Sequence, residues 1–185
     1  IINKLCVIIN QILLKEGIYM KLNIVLVEPE IPQNTGNIAR TCAALGAKLH
    51  LVYPLGFSIS EKQVKRAGLD YWDKLDIEEH ISFSKFLEKY KPEETNMFFV
   101  TTKGKHVYSE PKYSSFDEVF LLFGKETKGL PEDILQKYLD KTIRIPMREG
   151  LRSLNLSNSV AIVEYDVERQ CEFSNLQEIS NYFDN

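Results

Sequence analysis

The 185-residue chain has few cysteines and no spacing typical of metal ligands. Cys6, Cys42 and Cys171 are far apart and odd in number, which argues against a disulfide framework and against a zinc site. In the first 19 residues the longest apolar run is only residues 5–9, whereas a helix that crosses a bilayer needs about 20. We therefore expect a cytoplasmic protein with no metal and no membrane partner.

The chain also lacks an excess of positive charge. Its formal net charge is −3, and residues 20–170 carry only −1, because residues 1–19 carry +1 and residues 171–185 carry −3. A nonspecific nucleic-acid binder is usually basic. DNA is therefore not an expected partner, and an RNA would have to be held by local patches. The candidate patches are Lys62/Lys65/Arg66, Lys103/Lys105, Lys125/Lys128 and Arg148/Arg152.

Several common catalytic motifs are missing. The segment from Gly124 to Gly129 has the spacing of a phosphate loop, but Leu130 and Pro131 occupy the positions that need Lys and Ser or Thr, which argues against an NTPase. No GxGxxG follows the first strand, and no GxSxG is present. The three histidines have no evident nucleophilic partner, and we interpret them as ordinary surface or core residues.

The order of the remaining segments predicts one α/β domain over residues 20–170. Predicted strands at 22–27, 48–53, 96–101, 119–123 and before Pro146 alternate with predicted helices at 34–45, 60–67, 82–90, 131–138 and after Ser153. This alternation favours a mostly parallel sheet with helices on both faces. Residues 1–19 are interpreted as a leader outside the fold, since Met20 directly precedes the first strand, and residues 171–185 as an acidic tail.

Three polar loops follow predicted strands, at 101–105, 124–129 and 146–155. Ligands of parallel sheets bind at the carboxyl ends of the strands, so we expect these loops to converge on one site. Arg40, on the polar side of its helix, is either a solvated arginine or a guanidinium for phosphate or ribose oxygens. Four polar residues near the last helix start exceed what capping needs; they are Ser153, Asn155, Ser157 and Asn158.

Three blocks carry a resemblance to a known class of proteins. They are NTGNIAR at 34–40, LFGKETKGLP at 122–131, and IPM at 145–147 followed by SLNLSN at 153–158. In this order they resemble the SPOUT-class RNA 2′-O-ribose methyltransferases. Within that class, EPEIPQNTGNIAR and RAGLDYW resemble the minimal enzymes that methylate the wobble nucleotide of tRNA. The likeness covers residues 20–170.

The resemblance implies a C-terminal deep trefoil knot, a homodimer and a tRNA anticodon stem-loop as substrate. It also implies that S-adenosylmethionine is the methyl donor, with S-adenosylhomocysteine as product. The implied cofactor-binding residues are Val100, Gly124, Ile145, Met147, Ser153 and Leu154. Arg40 would be catalytic, and Asn34, Glu126, Asn155 and Tyr165 would organise the site or the dimer.

Two alternatives stay open at this point. The first keeps the chemistry but moves the methyl group to ribosomal RNA or to another tRNA position. The second is a noncatalytic RNA-binding protein that retains the fold, against which the intact Arg40, Gly124 and Glu126 argue.

Overall fold

The structure, a computed structural model, describes residues 20–58, 75–180 and 182. Within these residues seven strands form one sheet in the order β3-β2-β1-β6-β4-β7-β5, and every pair of neighbours is parallel. The strands are β1 (Lys21–Val27), β2 (Lys48–Val52), β3 (Ile77–His80), β4 (Met97–Val100), β5 (His106–Val107), β6 (Glu118–Phe123) and β7 (Thr142–Arg144). The predicted mostly parallel sheet is confirmed.

Helices cover both faces of the sheet, as predicted. They are α1 (Pro32–Leu45), α2 (Phe83–Tyr90), α3 (Glu132–Lys137) and α4 (Leu156–Gln170), with 3₁₀ turns at Tyr113–Ser115 and Leu139–Lys141. The central strands are buried on both sides, which explains their nearly continuous apolar sequence. In β1, Ile24 and Leu26 join the core under α1 and α4, whereas Val25 and Val27 join the core under α2.

Helix α4 packs against α1 of the same chain. Its buried stripe, Val160, Val163 and Val167, lies in one core with Ile38 and Cys42 of α1. The periodicity of both helices predicted these buried faces, and the structure now identifies the surface that covers the α4 stripe. The two helices start side by side, which brings their first turns to the same end of the sheet.

Two local predictions were wrong or incomplete. Helix α1 begins at Pro32, two residues before the predicted start at 34, and Ile31 before it provides no side-chain cap. Strand β3 was missed because its sequence, IEEH, is polar, as edge strands often are. His80 is the last residue of β3, and His106 belongs to the short strand β5.

Other expectations are not tested by the described residues. The predicted helix at 60–67, the RAGLDYW segment and the leader at 1–19 lie outside them. The trefoil knot stays a prediction. The described chain does make a tight crossing beside β7, since a Cβ added to Gly104 would lie 2.4 Å from the carbonyl carbon of Ile143. No helix in this part of the protein combines the length and the apolar character needed to span a membrane.

Candidate active site

A cavity of about 730 Å³ opens at the carboxyl ends of β4, β6 and β7. The three polar loops of the sequence form its walls, together with the first turns of α1 and α4. The volume lies within the range of roughly 300–1,000 Å³ typical of small-molecule sites. Nine of the predicted site residues line it: Asn34, Val100, Gly124, Glu126, Ile145, Met147, Ser153, Leu154 and Asn155. Their roles stay predictions.

The loop after β6 folds back on itself at Gly124. A Cβ at this position would lie 2.0 Å from the carbonyl carbon of Gly129 and 2.2 Å from the amide nitrogen of Leu130. The amide of Gly129, at φ +70°, donates to the carbonyl of Lys125 at 2.8 Å and closes the turn. Only glycine fits at 124, because any side chain there would collide with the backbone of Gly129 and Leu130.

A relay of three side chains connects the walls of the cavity. Asn155 caps α4, because its Oδ1 accepts the amide hydrogen of Ser157 at 2.9 Å. Its Nδ2 donates to Asn34 Oδ1 at 3.0 Å, and Asn34 Nδ2 in turn donates to Glu126 Oε1 at 2.9 Å. Each amide has one consistent orientation in this chain of bonds, which fixes the first turns of α1 and α4 to the loop after β6.

Glu126 also receives backbone hydrogen bonds from the loop before α1. Its Oε2 accepts the amide hydrogen of Glu30 at 2.8 Å, and its Oε1 accepts that of Ile31 at 3.3 Å. A carboxylate at the start of α1 is favourably placed relative to the helix dipole. This carboxylate accounts for a helix N-terminus that lacks a side-chain cap of its own.

Glu30, in the loop before α1, also accepts hydrogen bonds from the loop that carries Glu126. Its carboxylate accepts the amide hydrogen and the hydroxyl hydrogen of Thr127, both at 3.0 Å. Lys125 forms an ion pair with Glu28, which raises the pKa of the lysine. Sequence reasoning missed Glu28, Glu30 and Thr127 as site residues. Their partners lie about 97 positions away, so no local pattern could have found them.

Two predicted site residues lie outside the cavity lining. Arg40 is on the exposed side of α1, roughly 9 Å farther along the helix axis than Asn34. Tyr165 is on the outer face of α4, with 49% of its surface exposed, next to Ile162 at 37%. In the described part of one chain the cavity and Arg40 are therefore separate, which limits how Arg40 could act.

Some of the lysines in the predicted basic patches form ion pairs with carboxylates. Lys103 pairs with Glu132, and Lys105 pairs with Asp140. These contacts hold the pKa of each carboxyl below its usual range. Each lysine of Lys103/Lys105 therefore faces a carboxylate, which reduces the positive charge there, and the role of this patch in RNA binding stays a prediction. Lys62, Lys65 and Arg66 lie outside the described residues.

A second polar cluster lies under α2, away from the cavity. Asn23 uses both amide hydrogens on Glu118 Oε1 and the Val119 carbonyl, so its Oδ1 accepts from His50 Nε2 at 3.0 Å. His50 Nδ1 then accepts from His80 Nε2, also at 3.0 Å. Burial lowers the pKa of His50 to about 3, so the pair is neutral. This supports the interpretation of these two histidines as core residues.

The same cluster contains the one group of described side chains with the arrangement of a possible metal site. Ligand atoms of His50, Glu78 and His80 lie within 4.8 Å of one another. Glu78, however, already accepts hydrogen bonds from Lys89 and Tyr90 and forms an ion pair with Lys48. Its charge is thus compensated by two lysines, and both nitrogens of His50 are used, so the cluster is complete without an ion.

Comparison with known proteins identifies the family. Residues 21–165 match the SpoU rRNA Methylase family. The chain belongs to this family. A Yersinia pestis relative named tRNA (cytidine(34)-2′-O)-methyltransferase is 49% identical over 153 residues, which cover 80% of this chain and 93% of the relative. A Burkholderia ambifaria relative of the same name is 43% identical over 152 residues, covering 82% and 96%.

Two solved structures of similar proteins extend the comparison. One, which concerns the 2-OH methylation of C/U34 on tRNA, has a TM-score of 0.77 and 44% identity and covers 85% of this chain and 99% of that chain. Another is an AdoMet-bound rRNA methyltransferase from Sinorhizobium meliloti, with a TM-score of 0.72 and 25% identity, covering 80% and 56%. The fold of this SpoU-family chain is therefore that of known RNA methyltransferases.

Proposed function

We propose that this protein transfers a methyl group from S-adenosylmethionine to the ribose 2′-hydroxyl of the wobble nucleotide of tRNA, a cytidine or modified uridine. The observation that carries the proposal is the cavity, in which three loops and two helix starts of a SpoU-family sheet converge. The names of the relatives support the tRNA position, since they specify cytidine 34. A cytoplasmic location follows from this substrate.

The residues of the cavity fit S-adenosylmethionine. A cofactor with a nucleoside and a charged amino-acid end needs hydrogen-bond donors and acceptors, which the cavity-lining loop from Gly124 to Gly129 can supply. Val100, Ile145, Met147 and Leu154 supply apolar surface, and Ser153 supplies a hydroxyl. The cofactor provides a methyl group on a sulfonium, whose leaving group is a neutral thioether, so the chemistry requires no metal.

Glu126 acts as a positioning residue in this proposal. Its two oxygens accept hydrogen bonds from Asn34 and from the amides of Glu30 and Ile31. These hydrogen bonds fix the carboxylate between the loop before α1 and Asn34. Together with Asn34 and Asn155, it holds the loop after β6 in the shape that receives the cofactor.

Arg40 is proposed to stabilise negative charge at the target nucleotide and to orient it. A ribose hydroxyl is a poor nucleophile near neutral pH, so the enzyme must favour developing alkoxide while aligning the attack. Arginine is always protonated in this range and suits an electrostatic role better than that of a base. Loss of one such group typically costs about 100-fold or more in rate, which Arg40→Ala would test.

In a homodimer, Arg40 of one subunit could act at the cavity of the other subunit. The outer faces of α1 and α4, with Arg40, Ile162 and Tyr165, are exposed in the single chain. Mixing inactive Arg40→Ala with inactive Gly124→Ala protein tests this arrangement. Recovery of part of the activity in the mixture is expected if the two residues act across subunits. No recovery, with mixed dimers demonstrated, would assign Arg40 to its own cavity.

The function itself is tested by methylation assays on total tRNA and ribosomal RNA, followed by nucleoside mapping. The expected product is a 2′-O-methyl group at nucleotide 34 of tRNA and none in ribosomal RNA. Methyl transfer to ribosomal RNA or to another tRNA position would contradict the assignment of the substrate. Binding of S-adenosylmethionine by calorimetry without any transfer to RNA would instead support a noncatalytic protein.

A further inference from the structure

Three cations at the mouth of the cavity differ from the other basic residues of the site loops. Lys128 and Arg152 line the cavity, and Arg148 belongs to the same loop as Arg152. All three are exposed, and among the described residues none forms a side-chain hydrogen bond or ion pair. Lys103, Lys105 and Lys125 each face a carboxylate, as described above.

Pairing decides how a cation responds to a phosphate. An exposed ion pair is worth at most about 1 kcal/mol, so a paired lysine could swing toward a phosphate. Its carboxylate would stay nearby, however, and would repel the same phosphate. A cation without a carboxylate partner keeps its full attraction and releases a counterion when a phosphate binds. The unpaired residues therefore have the larger electrostatic effect on RNA.

In the loop after β7, Arg148 begins a tight turn that ends at Leu151, and Arg152 follows directly. The amide of Leu151 donates to the carbonyl of Arg148 at 3.4 Å, and Gly150 takes a positive φ of 81° that suits such a turn. Glu149 is also exposed within this turn and reduces its net charge to +1. Lys128, in the loop after β6 that also lines the cavity, adds a further positive charge.

We infer that Lys128, Arg148 and Arg152 form the surface that holds the phosphates of the RNA backbone at the cavity mouth, and that the paired lysines Lys103 and Lys105 do not. The inference rests on the proposed function, because it assumes that the RNA reaches this cavity. It goes beyond the proposed function by naming the basic residues that contact the RNA phosphates.

The test is the salt dependence of binding of an unmodified tRNA anticodon stem-loop, measured in the absence of S-adenosylmethionine. Each single-strand phosphate contact contributes about 0.7 to the slope of log K against log salt. The variant Lys128→Gln/Arg148→Gln/Arg152→Gln should therefore lower the slope by about 2. Arg148→Lys/Arg152→Lys keeps both charges and should retain the slope.

Three further variants test whether the effect depends on ion pairing and on closeness to the cavity. Lys103→Gln/Glu132→Gln removes a pair without changing net charge and should leave the slope unchanged. Lys21→Gln removes an exposed lysine at the amino end of β1, far from the cavity, and should also leave it unchanged. Glu149→Gln should tighten binding. If the triple variant changes the slope no more than Lys21→Gln does, the inference is wrong, whereas a wild-type protein that binds no tRNA would contradict the proposed function itself.

Discussion

Two polar networks in this protein use similar residues to different ends. At the cavity, Asn155, Asn34 and Glu126 connect three segments, and the groups beside them face an open space. Under α2, Asn23, His50 and His80 form an equally continuous network, but aromatic rings of Phe86, Tyr90 and Phe120 surround His50, and neither histidine lines the cavity. Hydrogen bonding alone therefore does not mark a functional site; convergence on an open cavity does.

The largest expected effect is on the cavity. Gly124→Ala would place a methyl group 2.0 Å from backbone of the same loop, so the loop must move. A displacement of about 1 Å can cost on the order of 100-fold in function. We expect S-adenosylmethionine binding, measured by calorimetry, to weaken by at least that factor.

The matched control for this change is Gly46→Ala. Gly46 also has a positive φ, 72°, but an added Cβ would meet no heavy atom within 4 Å. It ends α1 far from the cavity, and the change should cost about 1 kcal/mol of stability with cofactor binding intact. Equal loss of binding in the two variants would show that the shape of the Gly124 loop is not what receives the cofactor.

A smaller effect is expected when the hydrogen bond from Asn155 to Asn34 is removed but the N-cap of α4 is retained. Asn155→Ser retains a good N-cap for α4 but removes the donor to Asn34. The rate constant for methyl transfer should fall up to about 10-fold, the equivalent of one hydrogen bond of about 1.4 kcal/mol. Asn155→Ala should lose a further ~1 kcal/mol of stability through the lost cap. Normal transfer by Asn155→Ser would remove the relay from the mechanism.

An effect on stability without an expected effect on methyl transfer concerns pH and lies outside both networks. Glu164 of α4 is buried against Cys42, with Sγ 3.4 Å from Oε1, and burial together with nearby Glu168 raises its pKa to about 8. A raised pKa means that stability is lost as pH rises from the ordinary glutamate value through 8. The buried, neutral His50 has the opposite effect, since its lowered pKa removes stability as pH falls below about 6.5.

Glu164→Gln should isolate the contribution of the glutamate. Between pH 5 and 8 the slope of unfolding free energy against pH should change by up to about 1.4 kcal/mol per unit, because one proton fewer is released. Denaturant unfolding at several pH values measures this slope. An unchanged slope would mean that Glu164 ionises in the folded protein at its ordinary pKa.

Much of the fold could be predicted from local sequence. The central strands are apolar on both faces, and the buried stripes of α1 and α4 repeat at helical spacing, so short windows were sufficient. The start of α1 could not be predicted this way, because the carboxylate that serves its first turn, Glu126, lies 95 residues after Ile31. Strand β3 is polar at the sheet edge, where packing imposes no apolar pattern.

For the candidate site, the sequence predicted the location but not most of the contacts between side chains. Convergence of three loops at the carboxyl ends of strands followed from the order of the elements, and the cavity confirms that geometry. The individual residues came from the resemblance to a known class, not from spacing. The carboxylate of Glu30 on Thr127 and the pairing of the basic residues depend on side chains brought together from distant segments, which one sequence does not reveal.

The contrast between the two networks is tested most directly by single-turnover methyl transfer to tRNA, with Tm recorded, for Glu126→Gln and His50→Leu. We expect Glu126→Gln to slow transfer by the folded protein at least about 10-fold, because it weakens charge-assisted bonds at the cavity, and to lower Tm as well, because the carboxylate at the start of α1 is lost. His50→Leu removes the donor to Asn23 Oδ1 and the acceptor for His80 Nε2, so it should cost about 1–3 kcal/mol of stability while transfer by the folded protein stays within about twofold. Slower transfer by His50→Leu than by Glu126→Gln would contradict the account.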